Sequence, residues 1–514
     1  MHPHISRILI SICLTPLLHA QAVTQSNERT NSNLPQKEIA RRVFDGERRT
    51  IALFAKQQPI VEVYAQSLNA EAMPERIVGD VYFLSRVSLD PDSARHPVTQ
   101  TFAFGRTAES RQVKMNTGSR WQLYPEGYVD MLFADVTAFD EDHYTLTQEA
   151  AEMLENTHCL RMAVTPTEPK WPGQFIGRIW VETANFRIVR LEGTFTAKRP
   201  GIFAKYLNPT GISTTSIYFH FDSCRQEVAP GVWMPSYTYF DDELLWNQAK
   251  FTTSYHFRGH TWVWGYGENS TAAAGSTGAQ GDPISQMQAD QLIAAPGAVE
   301  HWLDSIVGNM QLAGRAASQD IHCRVLMTTP AELFSSGKTI IISRGLLNLV
   351  PNQSILTVLL AREVAHIELG HTQGKVPKIA PVFDARRTSD FHGFGIAYDE
   401  AEEAAATRLA VELLGGNQVA SAVSQTDAFE AALADQSAQI PRLLHATFGA
   451  ALVEHRKSAR SKRQSVSATE SGLVLRADYG IRSSDNTITE PLGFTTTADA
   501  AAASSIQLPS GAAQ

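Results

Sequence analysis

Cysteine is scarce in this chain, with four residues in 514, too few for a scaffold held together by a disulfide framework. A strong charge of one sign is also missing. The 44 basic and 53 acidic side chains leave a formal charge of -9 over a long polypeptide, so nothing in the balance favours a nucleic-acid partner. Long apolar runs are missing too. The one at Ile8 to Leu18 falls well short of the roughly 20 residues a membrane-spanning helix needs, and no later segment reaches that length. Internal repeats of useful period are not found. What remains is an ordinary globular composition, 43% hydrophobic and 19% charged, on a chain too long for one core, so two or more domains are expected.

The N-terminus joins a weakly basic start, His2 to Arg7, to that apolar run and then to the small residues around Ala20-Gln21-Ala22. This is the pattern of a cleaved signal peptide over residues 1–22, and it implies a periplasmic or secreted mature protein. The alternative, a membrane anchor, needs a longer run. Cleavage would remove Cys13 and leave Cys159, Cys224 and Cys323. An oxidising compartment permits one disulfide among them, and Cys159 with Cys224 is the favoured pair because both fall in the same domain, leaving Cys323 as a buried thiol.

Spaced apolar residues from Lys37 to Lys56 predict a helix. The β-branched and aromatic segments Ile60 to Leu68, Ile77 to Leu89, Ile179 to Glu182, Arg187 to Phe195 and Ser216 to Phe221 predict strands of a largely antiparallel β domain ending near Tyr266. Residues 267–286 are rich in Ser, Thr, Ala and Gly in their first part and read as a linker. Residues 456–514 open with the basic run Arg456 to Arg463 and read as a disordered tail. Between them, residues 287–455 turn to helical periodicity after one short strand, Thr339 to Ile342. Asn352 or Ser354 can cap a helix that continues through Ile355, Val358, Leu359, Arg362 and His366 to a stop at Gly370. The expected fold class is α+β, a curved antiparallel sheet over residues 23–266 followed by a mainly helical domain.

That helix carries Arg362-Glu363-Val364-Ala365-His366. Two histidines four apart on one helix face can bind one zinc ion, with a glutamate beside the first as base on the bound water. Here the first position is arginine. Alone, Arg362, Glu363 and His366 would be an ordinary charged helix face. The neighbourhood adds to them: Ile340-Ile341-Ile342-Ser343-Arg344-Gly345-Leu346-Leu347-Asn348-Leu349 leads into the helix, and Glu402-Glu403-Ala404-Ala405-Ala406-Thr407-Arg408-Leu409-Ala410 follows it.

These three ordered landmarks resemble the HtpX and CAAX prenyl protease family of gluzincin zinc metallopeptidases. The resemblance covers roughly Leu292 to His455. It implies a zincin-like peptidase fold and a protein or peptide substrate or client. By position, Glu363 matches the general base, and His366 and Glu403 match metal ligands. Arg362 stands where the first histidine ligand belongs, and Thr407 replaces an aspartate that supports the site. His455 and Arg460 loosely match a later histidine and arginine of the family. Arginine keeps its proton and offers no lone pair, so Arg362 cannot ligate zinc. A fork from Arg362 to Glu403 or Glu363 is expected in its place. His371 lies five residues past His366 and, by helical spacing, points away from the same face. His322 and His392 are free to approach. Two readings follow: a degenerate relative retained as a binding scaffold, or an active zinc metalloendopeptidase of envelope proteins with an altered ligand set.

In the N-terminal domain, Phe175 to Glu182, Phe186 to Gly193 and Val232-Trp233-Met234-Pro235 are similar to the curved sheet of outer-membrane lipoprotein-sorting proteins. That similarity implies a lipid or acyl ligand. The residues read by themselves make Trp180 and Trp233 core side chains.

Overall fold

The computed structural model describes residues 34–69, 76–89, 98–102, 131–154, 156–168, 174–195, 213–248, 251–266, 283–289, 291–293, 296–311, 320–373, 375, 398–415, 419–437 and 439–444. The fold is α+β, as expected. The signal segment, His392, His455 and the tail lie outside the described residues.

Helix α1, Gln36–Gln57, buries Ile39, Val43, Phe44, Ile51 and Phe54 along one stripe and ends where Gln58 takes a left-handed conformation (φ 46°). Ten strands follow: β1 Ile60–Asn69, β2 Arg76–Leu89, β3 Val98–Phe102, β4 Tyr144–Leu154, β5 Thr157–Pro166, β6 Phe175–Glu182, β7 Ile188–Phe195, β8 Ser213–Ala229, β9 Val232–Gln248 and β10 Phe251–Trp264. They form one sheet in the order β3-β2-β1-β10-β9-β8-β7-β6-β5-β4, with every neighbouring pair antiparallel.

Strand β1 shows why the sheet is covered on both sides. Its odd positions, Val61, Val63 and Ala65, enter a core shared with α1 and with Met131 to Ala134. Its even positions face the other way, with Tyr64 and Leu68 joining a core built mainly from the C-terminal half. The α1 core also contains an ion pair between fully buried side chains. Arg225 donates from two nitrogens to the two carboxylate oxygens of Glu47, at 2.6 and 2.7 Å.

Further along the sheet, Trp180 and Trp233 are buried beside Cys159 and Val189, and their indole N–H groups donate to Glu152 and Glu182. They are packed side chains with satisfied polar ends. The expected Cys159 and Cys224 disulfide is not formed: Cys159, Cys224 and Cys323 are all buried thiols outside any disulfide. The reason is topological. Cys159 lies on β5 and Cys224 on β8, with β6 and β7 between them, a separation of about 14 Å at strand spacing and twice what a disulfide bridges.

After the sheet comes α2, Pro283–Ala289, so helix begins inside the stretch assigned to the 267–286 linker. Helix α3, Ala298–Gln311, precedes a three-stranded sheet of β11 His322–Leu326, β12 Leu333–Ser336 and β13 Thr339–Ser343. The central β13 pairs parallel with β11 and antiparallel with β12. Only β13 was expected. Four helices complete the order: α4 Arg344–Leu349, α5 Gln353–Glu368, α6 Glu400–Leu414 and α7 Val419–Gln436. Among the described residues no helix is long and apolar enough to cross a membrane.

Candidate functional site

Asn352 is the N-cap of α5, its side chain accepting from the Ile355 amide at 3.0 Å. From Ile355 onward the helix is buried almost all round, which places Arg362, Glu363 and His366 inside the protein at 7%, 7% and 1% exposure. Taken alone they would make an ordinary charged helix face; here all three are interior. Helix α6 brings the downstream glutamates. Asp399 caps it in a reciprocal box with Glu402, so Glu402 is committed to the helix end and to Lys375, while Glu403 turns inward. One Glu403 carboxylate oxygen lies 3.6 Å from His366 Nε2.

The expected fork from Arg362 to Glu403 or Glu363 is not what forms. Arg362 donates to Glu430 on α7, and the two side chains are 8% and 2% exposed. Burial works against the Arg362 charge, but the charge and hydrogen bond of Glu430, with Glu403 and Glu363 behind them, outweigh it and hold the guanidinium pKa above its ordinary value. Sixty-eight residues separate the partners, and Glu430 belongs to no motif. Glu363 is tied elsewhere: it accepts from the Ser335 hydroxyl of β12 at 2.6 Å. Burial raises its pKa in spite of His366 and Ser335.

His371 also departs from expectation. Helical spacing sends it away from His366, but the helix has ended by then. Leu369 is the C-cap, Gly370 adopts φ 73°, and the chain folds back so that His371 Nδ1 lies 3.0 Å from His366 Nδ1. Desolvation, aided by His366, lowers the His371 pKa. The His366 ring is sandwiched further by Tyr398, whose ring stacks on it at 3.6 Å and 13°. Lys375 lies over the same tyrosine. Thr407 is exposed on α6, so it does not support the interior site. His322 is on β11, directed at Asp304 at 3.6 Å.

The zinc site implied by the resemblance needs three converging donors. In this protein one of the three positions holds a buried cation. The two nitrogens of His366 face different partners, Nδ1 toward His371 and Nε2 toward Glu403. Among the described residues no group of three or more His, Cys, Asp and Glu side chains is arranged to hold a metal ion. The residues present do not fit that group. No protein-family model matches the chain, and no curated protein matches it. The peptidase-like reading therefore stands on Arg362, Glu363, His366, Glu403 and the turn before α5.

Proposed function

We propose that this chain is a periplasmic or secreted protein whose C-terminal half is a degenerate metallopeptidase of the HtpX and CAAX protease type, kept as a scaffold that binds protein or peptide clients. One observation carries the reading. The cation at the position of the first histidine ligand is built into the interior by a carboxylate from a third helix, Arg362 with Glu430. Burying an unpaired charge costs several kcal/mol. This charge is instead matched by a buried carboxylate. The groups that would activate water are also engaged, Glu363 with Ser335 and His366 with Glu403 and His371.

Without a metal ion to acidify it, bound water keeps a pKa of about 15.7 instead of about 7, and a lone buried carboxylate cannot make up that difference. The test is metal content of the purified protein by mass spectrometry, together with its Arg362→His variant. Wild type should carry far less than one zinc per chain and show no endopeptidase activity on unfolded protein. The variant should gain zinc, since His366 and Glu403 already face each other. Stoichiometric zinc in wild type that disappears in His366→Ala would establish an active enzyme with an altered ligand set and overturn the scaffold reading.

A further inference from the structure

The C-terminal half packs against one face of the ten-stranded sheet through a polar cluster distinct from the Arg362–Glu430 pair. At its centre Glu62 of β1, fully buried, accepts from the Tyr82 hydroxyl at 2.8 Å, the Thr329 amide at 2.6 Å, the Thr329 hydroxyl at 2.9 Å and the Arg344 guanidinium. Arg344 in turn lies over the Trp262 ring at 4.2 Å. Beside this group stand Tyr237, His260 and Trp262. Tyr237 and Trp262 are cross-strand partners with rings 4.5 Å apart, and the His260 ring is 6.1 and 6.3 Å from them.

The protons of this cluster can be assigned. The Thr329 hydroxyl has one proton, which goes to Glu62. The contact of 3.1 Å between Thr329 Oγ1 and His260 Nε2 is then an N–H donated by the histidine. Burial and the nearby Arg344 push the His260 pKa down to about 3, so the ring is neutral and Nδ1 is a bare acceptor. That acceptor is buried and has no protein partner. Neither has the Tyr237 hydroxyl or the Trp262 indole N–H. The large majority of buried side-chain polar atoms are hydrogen-bonded, so three orphans on one aromatic patch point to an occupant.

We propose that Tyr237, His260 and Trp262 enclose a binding site for a single hydroxyl-type group, one that accepts from the indole N–H and donates to His260 Nδ1. A carboxylate is excluded by chemistry, because it has no proton for Nδ1. An ammonium is excluded because it cannot accept from Trp262. Water meets both demands at the least volume, with the two to four polar partners that a buried water needs. The hydroxyl of a small neutral solute has the same chemistry.

A high-resolution crystal structure of the full chain tests the assignment, alongside the thermal stability of Tyr237→Phe. The expected result is an isolated oxygen-sized peak within hydrogen-bond reach of His260 Nδ1 and Trp262 Nε1, and a Tm lowered in the variant by about 1–3 °C through loss of a made hydrogen bond. A larger continuous density, with a neutral hydroxylic compound released on denaturation and identified by mass spectrometry, would support the same site with a solute as its source. Direct bonding of Trp262 to Tyr237 and of Tyr237 to His260, with no third body between them, would overturn the proposal. A Tm that is unchanged or raised would also overturn it, because removing a truly orphaned hydroxyl relieves a cost.

Discussion

Arg362 and Glu430 form a buried ion pair inside the C-terminal half, and its energetics can be stated in advance. Each side chain gives up its water on folding, and each is tolerable only because the other is present. Removing one partner leaves an uncompensated charge, so Arg362→Met or Glu430→Met should each lower unfolding stability by about 3–5 kcal/mol. Replacing both by apolar residues removes the penalty together with the pair. Arg362→Met combined with Glu430→Met should therefore recover most of the loss in urea denaturation. Additive losses in the double variant would show that the two side chains act independently. The same pair shows where sequence reasoning stops. Arginine at a ligand position announces that a counter-charge must exist, and nearby glutamates are the natural guess. Only the packing of α7 against α5 reveals that the partner comes from Glu430 instead of Glu363 or Glu403.

At the scale of elements, local patterns reported themselves well. The helix expected over Lys37 to Lys56 is Gln36–Gln57, the strand expected over Ile60 to Leu68 is Ile60–Asn69, and Asn352 caps α5. What failed was extrapolation past an element's end. His371 was placed by the 3.6-residue period beyond the point where Gly370 had already reversed the chain. Strands β11 and β12 were missed because both are short, and β11 pairs with β13 in parallel across an intervening connection, which leaves no hairpin signal. The turn before α5 yields a sharper statement. Ser343 accepts from the Leu346 amide to cap α4, and Gly345 sits so close to the preceding loop that a Cβ there would lie 1.6 Å from the Thr329 carbonyl oxygen. No rotamer relieves a clash with backbone. Gly345→Ala should cost about 3 kcal/mol or more, because α4 and the 328–329 segment must part and the Glu62 cluster anchored on Thr329 moves with them. A thermal melt of the variant within a degree of wild type would show that the loop yields freely.

The molecule as a whole is held by contacts that span hundreds of residues, which is why its sequence reads as two units while its cores interlock. Tyr64, Leu68, Ile77, Tyr237 and Tyr239 of the large sheet share one apolar cluster with α3, α5, α6 and α7. Glu62 reaches Arg344 across 282 positions. Asp80 of β2 closes the far end, accepting from the Arg442 amide at 3.0 Å and the Leu443 amide at 2.8 Å, so it fastens the segment after α7 to the sheet. Burial raises the Asp80 pKa to about 6 against the help of those amides, the Arg442 charge and the Tyr64 hydroxyl. The sign of its effect follows from linkage. A carboxyl whose folded-state pKa lies above its unfolded value binds its proton more tightly in the folded protein. It therefore contributes stability that is fully present below about pH 4 and is lost as pH rises through 6. Between pH 7.5 and 4.5 the contribution grows by about 1–2 kcal/mol. Asp80→Asn cannot titrate, so its stability relative to wild type should be about 1–2 kcal/mol more favourable at pH 7.5 than at pH 4.5. Differences taken at the two pH values cancel every other titrating group shared by both proteins. Equal differences at both pH values would mean that Asp80 is not the proton-binding group at this junction, and that the two halves are fastened independently of pH at this point.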